Sequence, residues 1–226
     1  LPHPNFSENR WLYLSYAKEE GETSVTAVAR GRFENDRLTN VIEIFSPKAA
    51  GYGHYGGKMV FDNDGYLFLT LGERQAPARG DLTAHPAQDL TNHQGVIVRL
   101  NDDGSVPSDN PFLGKLGYQP EIYAIGFRNP QGLIIHPQTG ELWGVEHGPQ
   151  GGDEVNIIRP GLNYGWPVVS YGRAYNGSLT QGGSGPELAE PCAPGVEQPF
   201  LFWTPVITPS GLALYTGDQF PAWKGS

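Results

Sequence analysis

Side chains that could carry out chemistry are concentrated in three short loops within residues 124–167. The first loop contains Arg128-Asn129, the second runs from Gly148 to Glu154, and the third is the sequence NYGWP at 163–167. Arginine provides a permanent charge and a planar set of donors, whereas carboxylates and backbone carbonyls are oxygen ligands for hard cations. Polar loops held on a rigid scaffold are where binding and catalytic sites are built.

A histidine in a glycine-rich turn is a further candidate. His54 lies in the sequence GYGHYGG, directly before a predicted strand. A histidine pKa of about 6.5 suits proton abstraction at neutral pH, so His54 could act as a general base. His93 also precedes a strand and is a rival for that role. On the residues alone, a surface histidine of a turn is the more common case.

These loops are separated by a repeated pattern of short strands. Residues 57–71 form an apolar strand, a turn that ends in glycine and a second strand, and residues 132–145 repeat this pattern. A third copy begins at Gly211, and a partial copy lies at 3–14. Short strands between Gly, Pro, Asn and Asp turns predict an all-β fold without amphipathic helices. A repeat longer than a hairpin predicts a β-propeller, and the alternative is a β-sandwich whose hairpins are similar by chance.

Composition narrows the classes of function. The chain has 226 residues with 31 Gly and 20 Pro, and its aromatic content of 12% is high enough to support a core. Its net charge is −9 and no basic run is present, which argues against nucleic acid and anionic membranes as partners. No apolar run approaches the length of a membrane span. The single cysteine, Cys192, cannot form an internal disulfide.

The length of the repeat predicts about three blades, whereas propellers close with about 4–8 blades. We therefore expect residues 1–226 to be an internal portion of a single, roughly six-bladed propeller domain that is truncated at both ends. Such a portion alone should be inactive, because a site built from several blades would be incomplete.

The order and spacing of several motifs resemble one protein family. The sequences GFRNPQGL, EHGPQGGDEVNII and NYGWP resemble those of the soluble quinoprotein sugar dehydrogenases, the glucose/sorbosone dehydrogenase family, and Gly53-His54 and PVITPSG at 205–211 agree with it. The resemblance implies a six-bladed propeller that oxidises the anomeric carbon of aldose sugars to lactones. Hydride would pass to pyrroloquinoline quinone (PQQ) with assistance from Ca²⁺, and electrons would leave to an external acceptor. The family is typically periplasmic or secreted.

The resemblance also implies catalytic and cofactor-binding residues. His54 matches the base that removes the hydroxyl proton of the sugar. Arg128 matches the residue that faces the quinone oxygen, where a positive charge stabilises the developing negative charge, and Asn129 matches another cofactor-binding residue. On the residues alone, Arg128 could instead pair with a carboxylate.

Two calcium sites are implied in the same way. The backbone carbonyls of Gly148 and Pro149 match ligands of a catalytic Ca²⁺. Glu154 and the carbonyl of Tyr164 match a second, structural Ca²⁺ site, where Asp153 could assist. The alternative for Asp153-Glu154 is a solvated acidic turn.

Some positions depart from the family pattern. Gly53 stands where the glucose-specific enzymes have an acid, which favours the branch that accepts many aldoses. A cofactor-binding threonine of the family falls at about Val206. The segment Ser170–Phe200 is predicted to be a lid or a surface loop.

Two other functions remain as alternatives. The first is a metal-dependent lactonase-type propeller, which would hold its metal mainly with side-chain carboxylates and asparagines near the axis. The second is a non-catalytic binding propeller of the same superfamily, although His54 together with Arg128-Asn129 argues against a loss of catalysis.

Overall fold

The computed structural model describes residues 1–175 and 192–225, and these residues form three antiparallel sheets of consecutive strands. The first sheet contains β1 (Trp11–Glu20), β2 (Thr23–Glu34) and β3 (Arg37–Phe45). The second contains β4 (Met59–Phe61), β5 (Leu67–Leu71), β6 (Val96–Leu100) and β7 (Ile122–Ile125), and the third contains β8 (Pro130–Ile135), β9 (Leu142–Glu146), β10 (Asp153–Ile158) and β11 (Leu201–Trp203). The helices among the described residues are short: α1 (Phe6–Asn9) and three 3₁₀ turns, Leu82–Ala84, Pro86–Gln88 and Pro221–Trp223.

The two best-defined copies of the predicted repeat are confirmed. The pairs β4–β5 and β8–β9 are the hairpins expected at 57–71 and 132–145. The copy at 3–14 is only partly strand, because α1 precedes β1. No strand is assigned over 211–215, within the described range 192–225.

The core shows why the second sheet is so apolar. Leu67, Leu69 and Leu71 of β5 pack in a cluster with the first sheet, whereas Phe68 packs in a second cluster with the third sheet. Because β5 is covered on both faces, none of its side chains faces solvent, and this accounts for its nearly continuous hydrophobic run. The sheets are therefore stacked as successive blades, and the predicted all-β propeller fold is confirmed. No helix in the described part of the chain is long and apolar enough to cross a membrane.

The blade arrangement brings two of the candidate loops together. The turn that contains His54 leads into β4, and the loop that contains Arg128 leads into β8, so both lie before the first strand of a blade. Strand β8 contacts β4 and β5. The backbone N–H of Glu73, directly beyond β5, donates to the carbonyl of Arg128 at 2.9 Å.

Candidate active site

His54 is paired with a buried carboxylate. Its Nδ1 lies 2.5 Å from Oε2 of Glu73, and the Glu73 side chain is only 3% exposed. A carboxylate at one ring nitrogen fixes the orientation and tautomer of a histidine, which leaves Nε2 as the nitrogen that can accept a proton. His54 is therefore not an unconstrained surface histidine.

The turn around His54 is held by Arg74. The guanidinium of Arg74 donates to the carbonyls of Ser24, Gly51 and Gly53 and stacks on the ring of Tyr55. His54 itself has a φ of +36°, an unusual backbone conformation for a residue with a side chain. The hydrogen bonds from this one guanidinium can maintain such a conformation.

The geometry also explains the departure at position 53. Gly53 has a φ of +59°, and a Cβ there would lie 2.6 Å from the Gln75 side chain. An acidic residue at this position would be strained and would displace Gln75, which lines the neighbouring cavity. A glycine is therefore what this turn accommodates.

Arg128 is buried, and its guanidinium is bound by neutral acceptors. Nη1 donates to the carbonyls of His147 (3.2 Å) and Gly148 (2.9 Å), and Nη2 donates to the Tyr175 hydroxyl (2.9 Å). None of the arginine ion pairs within residues 1–175 and 192–225 involves Arg128. The alternative in which Arg128 pairs with a carboxylate is therefore not what the described residues show.

The backbone of the Arg128-Asn129 turn is held by Glu146. Oε2 of Glu146 accepts from the N–H of Arg128 at 2.7 Å and from the N–H of Asn129 at 3.4 Å. The Asn129 side chain accepts a hydrogen bond from Gln131, so its Oδ1 is already engaged within the loop.

Gly148 is the centre of a tightly closed loop. A Cβ at this position would lie 2.2 Å from the carbonyl oxygen of Gly151 and 2.3 Å from that of Gly152. The carbonyl of Gly148 accepts one hydrogen bond from Arg128, and a carbonyl oxygen has a second lone pair. The Gly148 carbonyl oxygen therefore keeps one lone pair that the described hydrogen bonds do not use.

Glu154 is not part of a solvated acidic turn, because it is buried at the start of β10 beside Glu146. Burial raises the pKa of Glu154 from 4.5 to about 7. Burial and the charge of Glu154 raise the pKa of Glu146 well above its usual range. Asn156 donates to Glu154, and its buried Oδ1 has no partner among the described residues.

The predicted site residues line two adjoining cavities. His54, Arg128 and Pro149 line a cavity of about 340 Å³, together with Glu73, Trp166 and Tyr175. Gly148, Glu154 and Tyr164 line a void of about 10 Å³, which Arg128 and Trp166 also border. Asn129 lies beside these cavities but is in neither lining.

The structure adds two residues to the candidate site that sequence reasoning missed, Glu73 and Tyr175. Glu73 comes just after the buried strand β5. A carboxylate that directly follows an apolar strand is the sequence signal by which Glu73 could have been found. Tyr175 lies in the predicted lid, most of which (176–191) is outside the described residues. The rival base, His93, instead accepts from the backbone N–H of Lys48 and pairs with Glu121, and it lines neither cavity.

Comparison with known proteins shows the family of this chain. The family model for Glucose / Sorbosone dehydrogenase matches residues 1–226. The chain belongs to the glucose/sorbosone dehydrogenase family. Among its relatives, the aldose sugar dehydrogenase YliI of Escherichia coli (strain K12) is 41% identical over 228 residues, which cover 98% of this chain and 58% of that protein.

Solved structures of the family have the same fold. A crystal structure of glucose dehydrogenase matches with a TM-score of 0.89 and 44% identity, covering 99% of this chain and 63% of that one. The PQQ-bound aldose sugar dehydrogenase of Streptomyces coelicolor matches with a TM-score of 0.66 and 25% identity, covering 90% of this chain and 52% of that one. The chain thus spans about half the length of the family members it matches.

Proposed function

We propose that the protein is a PQQ-dependent aldose sugar dehydrogenase, which oxidises the anomeric carbon of aldose sugars to lactones with assistance from Ca²⁺. One observation carries the proposal: a single cavity of about 340 Å³ is lined by the His54–Glu73 pair and by the Arg128 guanidinium. A general base and a permanent positive charge are the two groups that removal of a proton and a hydride from one carbinol requires.

The cavity fits a flat, anionic cofactor. Its volume of about 340 Å³ is in the range of ligand pockets. Arg128 is buried without an ion-pair partner among the described residues and lies over the Trp166 ring, so the wall combines positive charge with an aromatic surface. The PQQ-bound state of the Streptomyces coelicolor relative supports the same cofactor here.

The chain's own residues then have distinct tasks. When bound, PQQ supplies the acceptor for the hydride of the anomeric carbon and its two electrons. His54 Nε2 accepts the proton of the anomeric hydroxyl, and Glu73 stabilises the resulting imidazolium. Arg128 provides positive charge where negative charge develops, and Asn129 contributes a further polar contact. Loss of the proton and the hydride converts the cyclic sugar into its lactone.

The two proposed calcium sites use different oxygen ligands: backbone carbonyls at the first, and a carboxylate with a carbonyl at the second. The carbonyls of Gly148 and Pro149 would hold a Ca²⁺ that polarises the quinone. Glu154 and the carbonyl of Tyr164 would hold a second Ca²⁺. Support for the second site comes from the buried Glu146–Glu154 pair and the unpartnered Asn156 oxygen, since a cation would compensate both.

The alternatives lack comparable support. For the lactonase-type propeller, the family model that matches residues 1–226 is that of a sugar dehydrogenase instead. A binding propeller has no need of a histidine oriented by a buried carboxylate.

The proposal is tested with the full-length protein, reconstituted with PQQ and Ca²⁺ and assayed for dye reduction with a panel of aldoses. We expect reduction with several sugars, because the turn at Gly53 favours broad specificity. His54→Gln should abolish turnover, whereas His93→Gln, which alters a buried histidine outside the cavity, should retain it. No reduction with any sugar despite bound PQQ would end the proposal.

We further propose a periplasmic or secreted location and an external electron acceptor, which follow from the family. Fractionation of the producing cells tests the location, and activity confined to the cytoplasmic fraction would contradict it.

A further inference from the structure

One buried carboxylate outside the proposed chemistry binds two loops at once. Asp153, at the start of β10, is 0% exposed. Its Oδ1 accepts from the N–H of Gly148 at 2.9 Å, and its Oδ2 accepts from the N–H groups of Ile207 (2.7 Å) and Thr208 (2.6 Å). Hydrogen bonds to an ionised acceptor are stronger than neutral ones, so this carboxylate is a firm attachment for both loops.

The Gly148 loop that Asp153 binds also contacts Arg128, which lines the cavity. The N–H that Asp153 binds belongs to the His147–Gly148 peptide unit, whose carbonyl, that of His147, accepts from Nη1 of Arg128 at 3.2 Å. The next carbonyl, that of Gly148, accepts from the same nitrogen at 2.9 Å. A second contact joins the same two loops, because Nε2 of His147 lies 2.9 Å from the carbonyl of Pro209. The position of the Arg128 guanidinium therefore depends on how Gly148 is oriented.

We propose that Asp153 is a positioning residue. It holds the Gly148 loop and the Ile207–Thr208 segment in one arrangement and thereby places Arg128 for the cofactor. The inference rests on the proposed function and differs from a role as calcium ligand, because three of about four lone-pair sites of the carboxylate already accept backbone N–H groups.

Asp153→Asn in the full-length protein tests the inference, since the amide cannot accept at both ends. In the presence of Ca²⁺, we expect the Kd for PQQ, measured by fluorescence titration, to rise about tenfold. Amide hydrogen exchange should become faster at Gly148, Ile207 and Thr208. The control is Val98→Ala, a fully buried position in the second sheet that does not line the cavity, which should lower stability and leave the Kd unchanged.

Two results would overturn the positioning role. The first is a Kd for PQQ that is unchanged in Asp153→Asn. The second is a Kd for PQQ that rises equally in Val98→Ala when the two variants have lost the same stability. If Asp153→Asn does not fold, Asp153→Glu, which keeps the charge but adds a methylene, is measured in its place with the same expectation. Failure of the unaltered protein to bind PQQ would instead overturn the proposed function, and the positioning role with it.

Discussion

Substitution of Glu154 by glutamine tests whether the buried carboxylates make folding depend on pH and on a cation. Burial raises the pKa of Glu154 from 4.5 to about 7, so between these values the folded protein keeps a proton that the unfolded chain has released. The free energy of unfolding therefore falls as the pH rises through this interval. Because one pKa unit corresponds to about 1.4 kcal/mol, the loss reaches about 3 kcal/mol above pH 7.

The assay is urea unfolding of the full-length protein from about pH 5 to about pH 8, with a chelator or with Ca²⁺. With the chelator, the unaltered protein should lose stability as the pH rises, and Glu154→Gln should lose about 3 kcal/mol less. Added Ca²⁺ should stabilise the unaltered protein at high pH more than the variant, which keeps only the proposed site at Gly148 and Pro149. Glu121→Gln is the control, because its effect on stability has the opposite sign. The hydrogen bond from His93 lowers the pKa of Glu121, so the ionised carboxylate stabilises the fold and the variant should lose stability at neutral pH. Identical pH dependence in Glu154→Gln and the unaltered protein would refute the reasoning.

Three further substitutions probe the cavity. Glu73→Gln removes the charge beside His54, so kcat in dye reduction should fall about 10²-fold while KM for the sugar changes little; an unchanged kcat would show that Glu73 does not assist the base. Gly148→Ala places a methyl group against two backbone carbonyls, so PQQ affinity in a fluorescence titration should fall, and equal affinity would contradict the proposed role of this loop. Tyr175→Phe removes one hydrogen bond to Arg128 and should weaken PQQ binding about threefold, with stability to urea unchanged.

The pattern of apolar residues predicted the strands of the propeller, because each strand's own residues reflect how that strand is buried. The run at 66–71 is apolar on both faces since a sheet lies on each side of it, and this is visible in the residues themselves. The strand expected at 211–215 is not formed in the described residues, because a strand needs a hydrogen-bonded neighbour that local sequence does not specify.

The partners of the site residues could not be predicted, because they depend on how loops meet across blades. His54 and Glu73 lie on opposite sides of the β4–β5 hairpin, and only the fold brings them to 2.5 Å. Asp153 was expected to assist at a calcium site, but the structure uses its oxygens for backbone N–H groups of two loops. Residue type suggested a cation ligand, whereas burial and neighbouring donors decide what a carboxylate binds.

The central claim is that His54 removes the proton of a sugar at a cavity that also holds PQQ beside Arg128. The most direct measurement is a single turnover of the full-length protein loaded with PQQ and Ca²⁺, followed by the change in cofactor absorbance when an aldose is added. The account predicts that His54→Gln binds PQQ as tightly as the unaltered protein and reduces it at least about 10²-fold more slowly. Equal rates of reduction in the two proteins would contradict it.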